Sequence, residues 1–253
     1  MKNYRTISIS LLTSLLIGTL TLTAHAGWLD TLKQDISGSN AAPVGVTSLT
    51  QGEMYDGLKQ ALSKGVQTAV ANLGHDGGYL NNLDVKIPLP DSLKHVQQAA
   101  HMAGQDKVAD DFIATMNHAA EQAVPQAAAI FGDAITKMNV DDAKAILAGP
   151  DDAATQYFRK TSNDQLTEKM LPIVKQATAK TGVTAAYKQL MQYGGSFTSF
   201  MGQPKSFDLD GYVTGKALDG LFKMVAAEEK NIRQNPVARS TDLLKKVFGA
   251  KPQ

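Results

Sequence analysis

The stretch that decides the fold is Met116-Asn-His-Ala-Ala-Glu-Gln-Ala-Val-Pro-Gln-Ala-Ala-Ala-Ile-Phe131, together with its continuation to Met138. Apolar side chains recur here at steps of three and four residues, so at about 100° per residue they share one stripe of a helix. The stripe contains Phe112, Met116, Ala120, Ala123, Ala127, Ile130, Phe131, Ala134 and Met138. Its many alanines let neighbouring helices approach closely, which predicts the central element of an all-helical domain. Pro125 lies opposite the stripe, so we expect either a bent helix or two helices that meet near Val124.

Capping residues and helix breakers divide the rest of the chain into further amphipathic helices. Thr50 and Glu53 have the spacing of a capping box, and Gly74 ends the helix that they open. The predicted helices cover residues 50–73, 91–103, 106–138, 139–148, 151–159, 162–181, 183–193, 208–235 and 241–248. No run alternates apolar and polar residues for long enough to build a sheet. The sequence therefore predicts an all-α fold, a single helical domain over residues 49–253 with about eight or nine amphipathic helices and no significant sheet.

Residues 1–26 have the pattern of a secretory signal peptide. Lys2 and Arg5 precede an apolar run, and Ala24-His25-Ala26 supplies the small-x-small pattern of a cleavage site. Residues 27–48 then read as an amphipathic N-terminal arm followed by a flexible tether. We therefore expect a periplasmic or secreted mature chain without a transmembrane segment.

The charge and cysteine content exclude several classes of function. Removal of Lys2 and Arg5 leaves 23 basic and 24 acidic residues, a net charge of −1 with histidine neutral. This balance gives no reason to expect a nucleic-acid partner. The chain has no cysteine, so it forms no disulfide and uses no thiol nucleophile. It also has neither a GxSxG elbow nor a Ser-x-x-Lys pair, and we therefore predict no catalytic residue.

Several polar side chains interrupt or border the apolar stripes. The candidate polar cluster consists of Asn117, Glu121, Thr155, Arg159 and Glu228. Glu228 projects into the stripe of its helix, where an ionised carboxylate needs a partner. Arg159 can hold two acceptors at once, so we expect it to pair with Glu228 and to bridge to Glu121. The cluster is either a structural ion-pair network or a polar pocket in a helical core.

A metal site is not predicted. His118 and Glu121 stand three residues apart and could share an ion, as carboxylate–histidine pairs do in helical bundles. Such sites need a second pair and further carboxylates, and the sequence offers none. We therefore predict no metal and no cofactor.

Six long stretches carry a resemblance to a known family. They are GLKQALSKGVQTAV from Gly57, VKIPLPDSLKHV from Val85, MNHAAEQAVPQA from Met116, DAKAILAGPDDAATQYFRKTS from Asp142, KALDGLFKMVAAEEKNIRQNP from Lys216 and LLKKVFG from Leu243. Through them the chain resembles the secreted bacterial proteins catalogued as domain of unknown function 4197. It departs from the family at His118, where we expect arginine. The resemblance implies a helical periplasmic protein and supplies no activity.

Three functions fit these observations. The first is a non-enzymatic envelope binding or interaction protein whose partner is an unknown envelope protein. The second is a carrier whose helices enclose a small apolar or amphipathic ligand. The third is an enzyme of unrecognised type that uses Glu121, Glu228 and Arg159. A solid core with an exposed apolar patch favours the first, an enclosed apolar cavity the second, and an open cleft that holds both glutamates the third.

Export is the first testable prediction. We expect the protein recovered from the periplasm to begin at Gly27, because the Ala24-His25-Ala26 pattern directs cleavage after Ala26. Intact-mass measurement checks this prediction. A full-length chain in the membrane fraction would contradict both the signal peptide and the localisation.

Overall fold

A computed structural model describes residues 50–180, 183–193, 208–239 and 241–249 of the chain. Within these ranges nine α-helices follow one another, and no strand occurs. They are α1 (Gln51–Leu73), α2 (Lys94–Met102), α3 (Asp106–Ala123), α4 (Ala127–Lys137), α5 (Val140–Ala148), α6 (Ala153–Lys180), α7 (Val183–Gln192), α8 (Leu209–Gln234) and α9 (Asp242–Gly249). The predicted all-α fold is confirmed. The predicted signal peptide, arm and tether lie outside the described residues.

The central stretch forms two helices rather than one bent helix. α3 ends at Ala123, a 3₁₀ turn covers Val124–Gln126, and α4 begins at Ala127. Pro125 stands in this turn with its ring exposed, where its missing N–H disrupts little helical hydrogen bonding. The apolar stripe continues across the turn, since all its predicted members are buried except the half-buried Ala134. The split therefore leaves the packing face intact.

The predicted helices over residues 151–159 and 162–181 are in fact one helix, α6. Phe158, Ser162, Leu166, Met170 and Val174 are all buried at steps of four residues, so one face packs continuously through the predicted boundary. Ser162 favours a helix start locally, yet here it is a small residue inside that face. Pro172 lies within the helix on its exposed side.

Three aromatic rings join α4, α6 and α8 at the centre of the core. The ring centre of Phe131 on α4 lies 4.9 Å from that of Phe158 on α6. It also lies 5.9 Å from that of Phe222 on α8, in an edge-to-face arrangement. Such tilted contacts stabilise packing beyond the area that the rings bury. The three rings are completely buried, so α4, α6 and α8 share one core.

The connection from Gly74 to Pro90 forms no helix, yet several of its side chains are buried in the fold. Tyr79, Val85, Ile87 and Leu89 of this segment, the inner loop, are buried. The Tyr79 hydroxyl donates to the carbonyl oxygen of Ala217 on α8, 2.7 Å away. Tyr79 can approach α8 this closely because residue 220 is glycine. A Cβ added there would lie 2.7 Å from Tyr79 Cε1. The inner loop therefore needs hydrogen-bond partners within the core.

The stability of the central core is testable. Phe131→Ala should lower the free energy of unfolding by about 3–5 kcal/mol, because it removes a fully buried ring and its contacts to two helices. Gln126→Ala, on the exposed side of the 3₁₀ turn, should change it by less than about 0.5 kcal/mol. Urea denaturation measures both values. Equal losses at the two positions would contradict the placement of the stripe.

Candidate functional site

Arg159 does not join the candidate polar cluster. Its guanidinium carbon lies 4.4 Å from the centre of the Phe222 ring, so its charge rests on an aromatic face. The residue is exposed, and the structure gives it no ion pair with Glu121 or Glu228. The predicted bridge from Glu228 through Arg159 to Glu121 is therefore wrong. The three buried members of the cluster belong to two separate sites, Asn117 and Glu121 to one and Thr155 to the other.

The buried carboxylate of α8 is Glu229, one residue beyond the predicted Glu228. Glu229 has 7% of its surface exposed, whereas Glu228 is half-buried. One residue turns a helix by about 100°, so this offset moves the carboxylate to another face. A sequence signal for it existed, because Val225, Glu229 and Ile232 follow steps of four and three residues along the buried face.

Glu229 caps the start of α6 from another helix. Its Oε1 accepts from the backbone N–H of Ala154, and its Oε2 accepts from the N–H and the hydroxyl of Thr155, each at 2.9 Å. The guanidinium of Arg233 donates to Oε1 and balances the charge, with Nη2 at 2.9 Å. Arg233 Nη2 also donates to the carbonyl of Ile146 at the end of α5. This site therefore joins α5, α6 and α8 and leaves the carboxylate oxygens occupied.

Asn117 and Glu121 of α3 supply the partners that the inner loop needs. Asn117 Oδ1 accepts from the N–H of Ile87 at 2.8 Å, and its Nδ2 donates to the carbonyl of Ile87 at 2.9 Å. Glu121 Oε1 accepts from the N–H groups of Tyr79 at 2.9 Å and Leu80 at 3.0 Å. Burial raises the pKa of Tyr79 well above its usual value, and the charge of Glu121 raises it further. The Tyr79 hydroxyl therefore remains a donor.

The second oxygen of Glu121 faces a polar cleft at the surface. Its Oε2 lies 2.8 Å from Nδ1 of His118, and Asp76 Oδ1 lies 3.3 Å from the same nitrogen. The cleft, of about 370 Å³, is also lined by Gly74, His75 and Gln122. Sequence reasoning paired His118 with Glu121 but missed Asp76, because nothing in the sequence shows which part of the inner loop meets α3.

An apolar groove lies at another face, between α1, α5 and α9. Its volume is about 670 Å³, and its apolar lining includes Met54, Tyr55, Val140, Leu147, Val247 and Phe248. Its polar lining includes Gln51, Lys144, Asp151 and, from α8, Arg233. Val140, the first residue of α5, is 44% exposed. We call this surface the α1–α5–α9 groove.

The role of Glu229 is testable against its neighbour. Glu229→Gln should lower the free energy of unfolding by about 3–5 kcal/mol, because it leaves the largely buried Arg233 without a counter-charge and disturbs the cap of α6. Glu228→Gln should cost less than about 0.5 kcal/mol. Chemical denaturation followed by circular dichroism compares the two variants. A larger loss at Glu228 would contradict the assignment.

Comparisons with known proteins place the chain in one family. Comparison of this chain with the curated proteins and with the solved structures finds no match. No helix in the described part of the chain is both long enough and apolar enough to cross a membrane. A family model matches residues 48–249, which include every helix described above. The chain therefore belongs to the family described as "Protein of unknown function (DUF4197)".

Proposed function

We propose that this chain is a non-enzymatic binding protein of the bacterial envelope, which acts in the periplasm after its signal peptide is removed. The observation that carries the binding role is the α1–α5–α9 groove. The pattern of residues 1–26 and the resemblance to secreted proteins support the location. The occupant of the groove is an amphipathic helix of a partner protein in the envelope.

The packing of the core supports partner binding over a carrier that encloses its ligand. The cavity among α1, α6, α8 and α9 has a volume of about 20 Å³, room for about one water molecule. Its lining includes Leu62, Phe158 and Val225. In a carrier, these side chains would have to leave space for the ligand. Small-molecule pockets usually measure about 300–1,000 Å³. The core cavity is too small for such a ligand.

The chemistry of the buried glutamates supports binding over catalysis. Both oxygens of Glu229 accept backbone N–H groups at the start of α6, and Arg233 holds the same carboxylate. One oxygen of Glu121 accepts two N–H groups of the inner loop. A general base must come within hydrogen-bond reach of the proton that it removes. Glu229 and the loop-bound oxygen of Glu121 are instead committed to holding the backbone.

The shape and chemistry of the groove favour an amphipathic helix. The lining is mostly apolar, with the largely buried Arg233 as an exception, and its polar residues Gln51, Lys144 and Asp151 are exposed. A helix can bury its apolar face against such a lining and keep its polar face in water, the usual helix-in-groove mode. A lipid chain has no polar face, so part of its apolar surface would stay wet in an open groove. Lys144 and Asp151 offer both signs of charge to the polar flank of the helix.

Val140→Glu is the variant that tests this proposal. The side chain is exposed at the first position of α5, where a carboxylate suits the helix dipole, so folding should be unaffected. The charge should however repel an apolar helix from the floor of the groove. We expect a photocrosslinker at Leu147 to capture an envelope protein in the periplasm. A synthetic peptide of the crosslinked segment should bind the wild-type protein at least about tenfold more tightly than Val140→Glu, a difference of about 1.4 kcal/mol.

Leu83→Glu is the matched control. Leu83 is also apolar, is 92% exposed and lies outside the groove, so its variant should bind the peptide within about twofold of the wild type. Equal weakening by both variants would contradict the groove as the site. Native mass spectrometry of protein from its own periplasm provides the second readout. A retained small molecule that Val140→Glu releases would favour the carrier and overturn the proposal.

A further inference from the structure

We propose that Asp76, His118 and Glu121 bind one divalent transition-metal ion, with Zn²⁺ as the best-suited metal. Each of the three offers one ligand atom, and these atoms lie within 4.8 Å of one another. In the described part of the chain this is the one place where three such side chains meet. The site is separate from the α1–α5–α9 groove and independent of the function proposed for it.

The spacing of the ligand atoms suits a small ion. Nδ1 of His118 lies 2.8 Å from Glu121 Oε2 and 3.3 Å from Asp76 Oδ1. Nitrogen and oxygen ligands about 2.0–2.2 Å from a tetrahedral Zn²⁺ lie roughly 3.4 Å from one another. Metal binding therefore lengthens the His118–Glu121 separation by about 0.6 Å and leaves the His118–Asp76 separation nearly unchanged. It also brings the ligand oxygens of Asp76 and Glu121, which now lie within 4.8 Å, to about 3.4 Å. The cleft beside the three side chains leaves room for a water molecule as the fourth ligand.

Two of the three ligands are already held in position. His118 and Glu121 stand one turn apart on α3, so the helix fixes their separation. The N–H groups of Tyr79 and Leu80 hold one oxygen of Glu121 and thereby turn the other towards the cleft. Hydrogen bonds of this kind orient the ligands in metal sites. Asp76 completes the set from the inner loop, with 93% of its side chain exposed and free to close on an ion.

The charges and donor types select the metal. Two carboxylates with a neutral imidazole balance the charge of a divalent cation. Carboxylates and water alone suit Mg²⁺ or Ca²⁺, whereas an imidazole nitrogen suits Zn²⁺ and its transition-metal neighbours. Without metal, Nδ1 of His118 lies within reach of both carboxylates, so the three side chains are already close together.

Calorimetric titration with zinc chloride tests the site. The full mature chain, prepared without a histidine tag, is stripped with EDTA and dialysed into chelator-free buffer. We expect one Zn²⁺ per chain and a higher midpoint of thermal unfolding in the presence of Zn²⁺, because the ion binds the folded state. Failure of the wild-type chain to bind one equivalent at micromolar concentrations would overturn the proposal.

Two variants should each weaken Zn²⁺ binding at least about tenfold. Asp76→Asn keeps the size of an exposed side chain and removes its charge. His118→Arg places a guanidinium between the two carboxylates but provides no ligand, so the chain should fold and lose the metal. Circular dichroism confirms that both variants fold. Unchanged affinity in His118→Arg would show that the ion binds elsewhere.

His101→Arg is the matched control. His101 also contacts an aspartate, since its Nδ1 lies 2.6 Å from Asp106 Oδ1, but it belongs to no group of three ligands among the described residues. Its variant should bind Zn²⁺ within about twofold of the wild type. A loss as large as that in His118→Arg would mean that the protein takes up zinc on its surface histidines in general, and it would overturn the specific site.

Discussion

The fold depends on the partners that its buried backbone N–H groups find. An N–H that loses water and gains no acceptor costs about 1–3 kcal/mol, and the inner loop carries several such groups into the core. Asn117 and Glu121 meet them at Ile87, Tyr79 and Leu80. Glu229 does the same for the first turn of α6. Asn117, Glu121 and Glu229 therefore accept hydrogen bonds from backbone N–H groups that have no acceptor within a helix.

Local chemistry made most of the helices predictable. Thr50 with Glu53 and Asn139 with Asp142 both form capping boxes, so the helices that they open begin where the sequence indicates. The prediction failed at Ser162, because a hydroxyl that can cap a helix also fits inside a packed face. Which role a serine takes is decided by neighbouring helices, and these are distant in the sequence. For the same reason the sequence leaves open whether Pro125 bends one helix or separates two, because the packing of neighbouring helices decides between them.

The candidate site was less predictable than the fold. The apolar pattern of α8 predicts a buried carboxylate but points to Glu228, whereas the buried residue is Glu229. A stripe defined by a few scattered apolar residues fixes the buried face only to within one position. Arg159 was chosen as a cation near a carboxylate, yet packing sets its guanidinium on Phe222. Asp76 was missed altogether, since it lies in a loop whose path depends on the acceptors of α3. The sequence marks Asn117, Glu121 and Thr155 as polar residues in the core, but it does not show their partners. Asn117 and Glu121 bind mostly backbone groups, and Thr155 donates to the carboxylate of Glu229.

The cap of α6 has a consequence for the order of events in synthesis. Glu229 follows Ala154 by 75 residues, so α6 leaves the ribosome well before the carboxylate that completes its first turn. Until α8 follows, the N–H groups of Ala154 and Thr155 lack the carboxylate of Glu229, and Phe222 is missing from the aromatic contacts of the core. The cap of α6 and the core that α4, α6 and α8 share are therefore complete only when the C-terminal third of the domain is present.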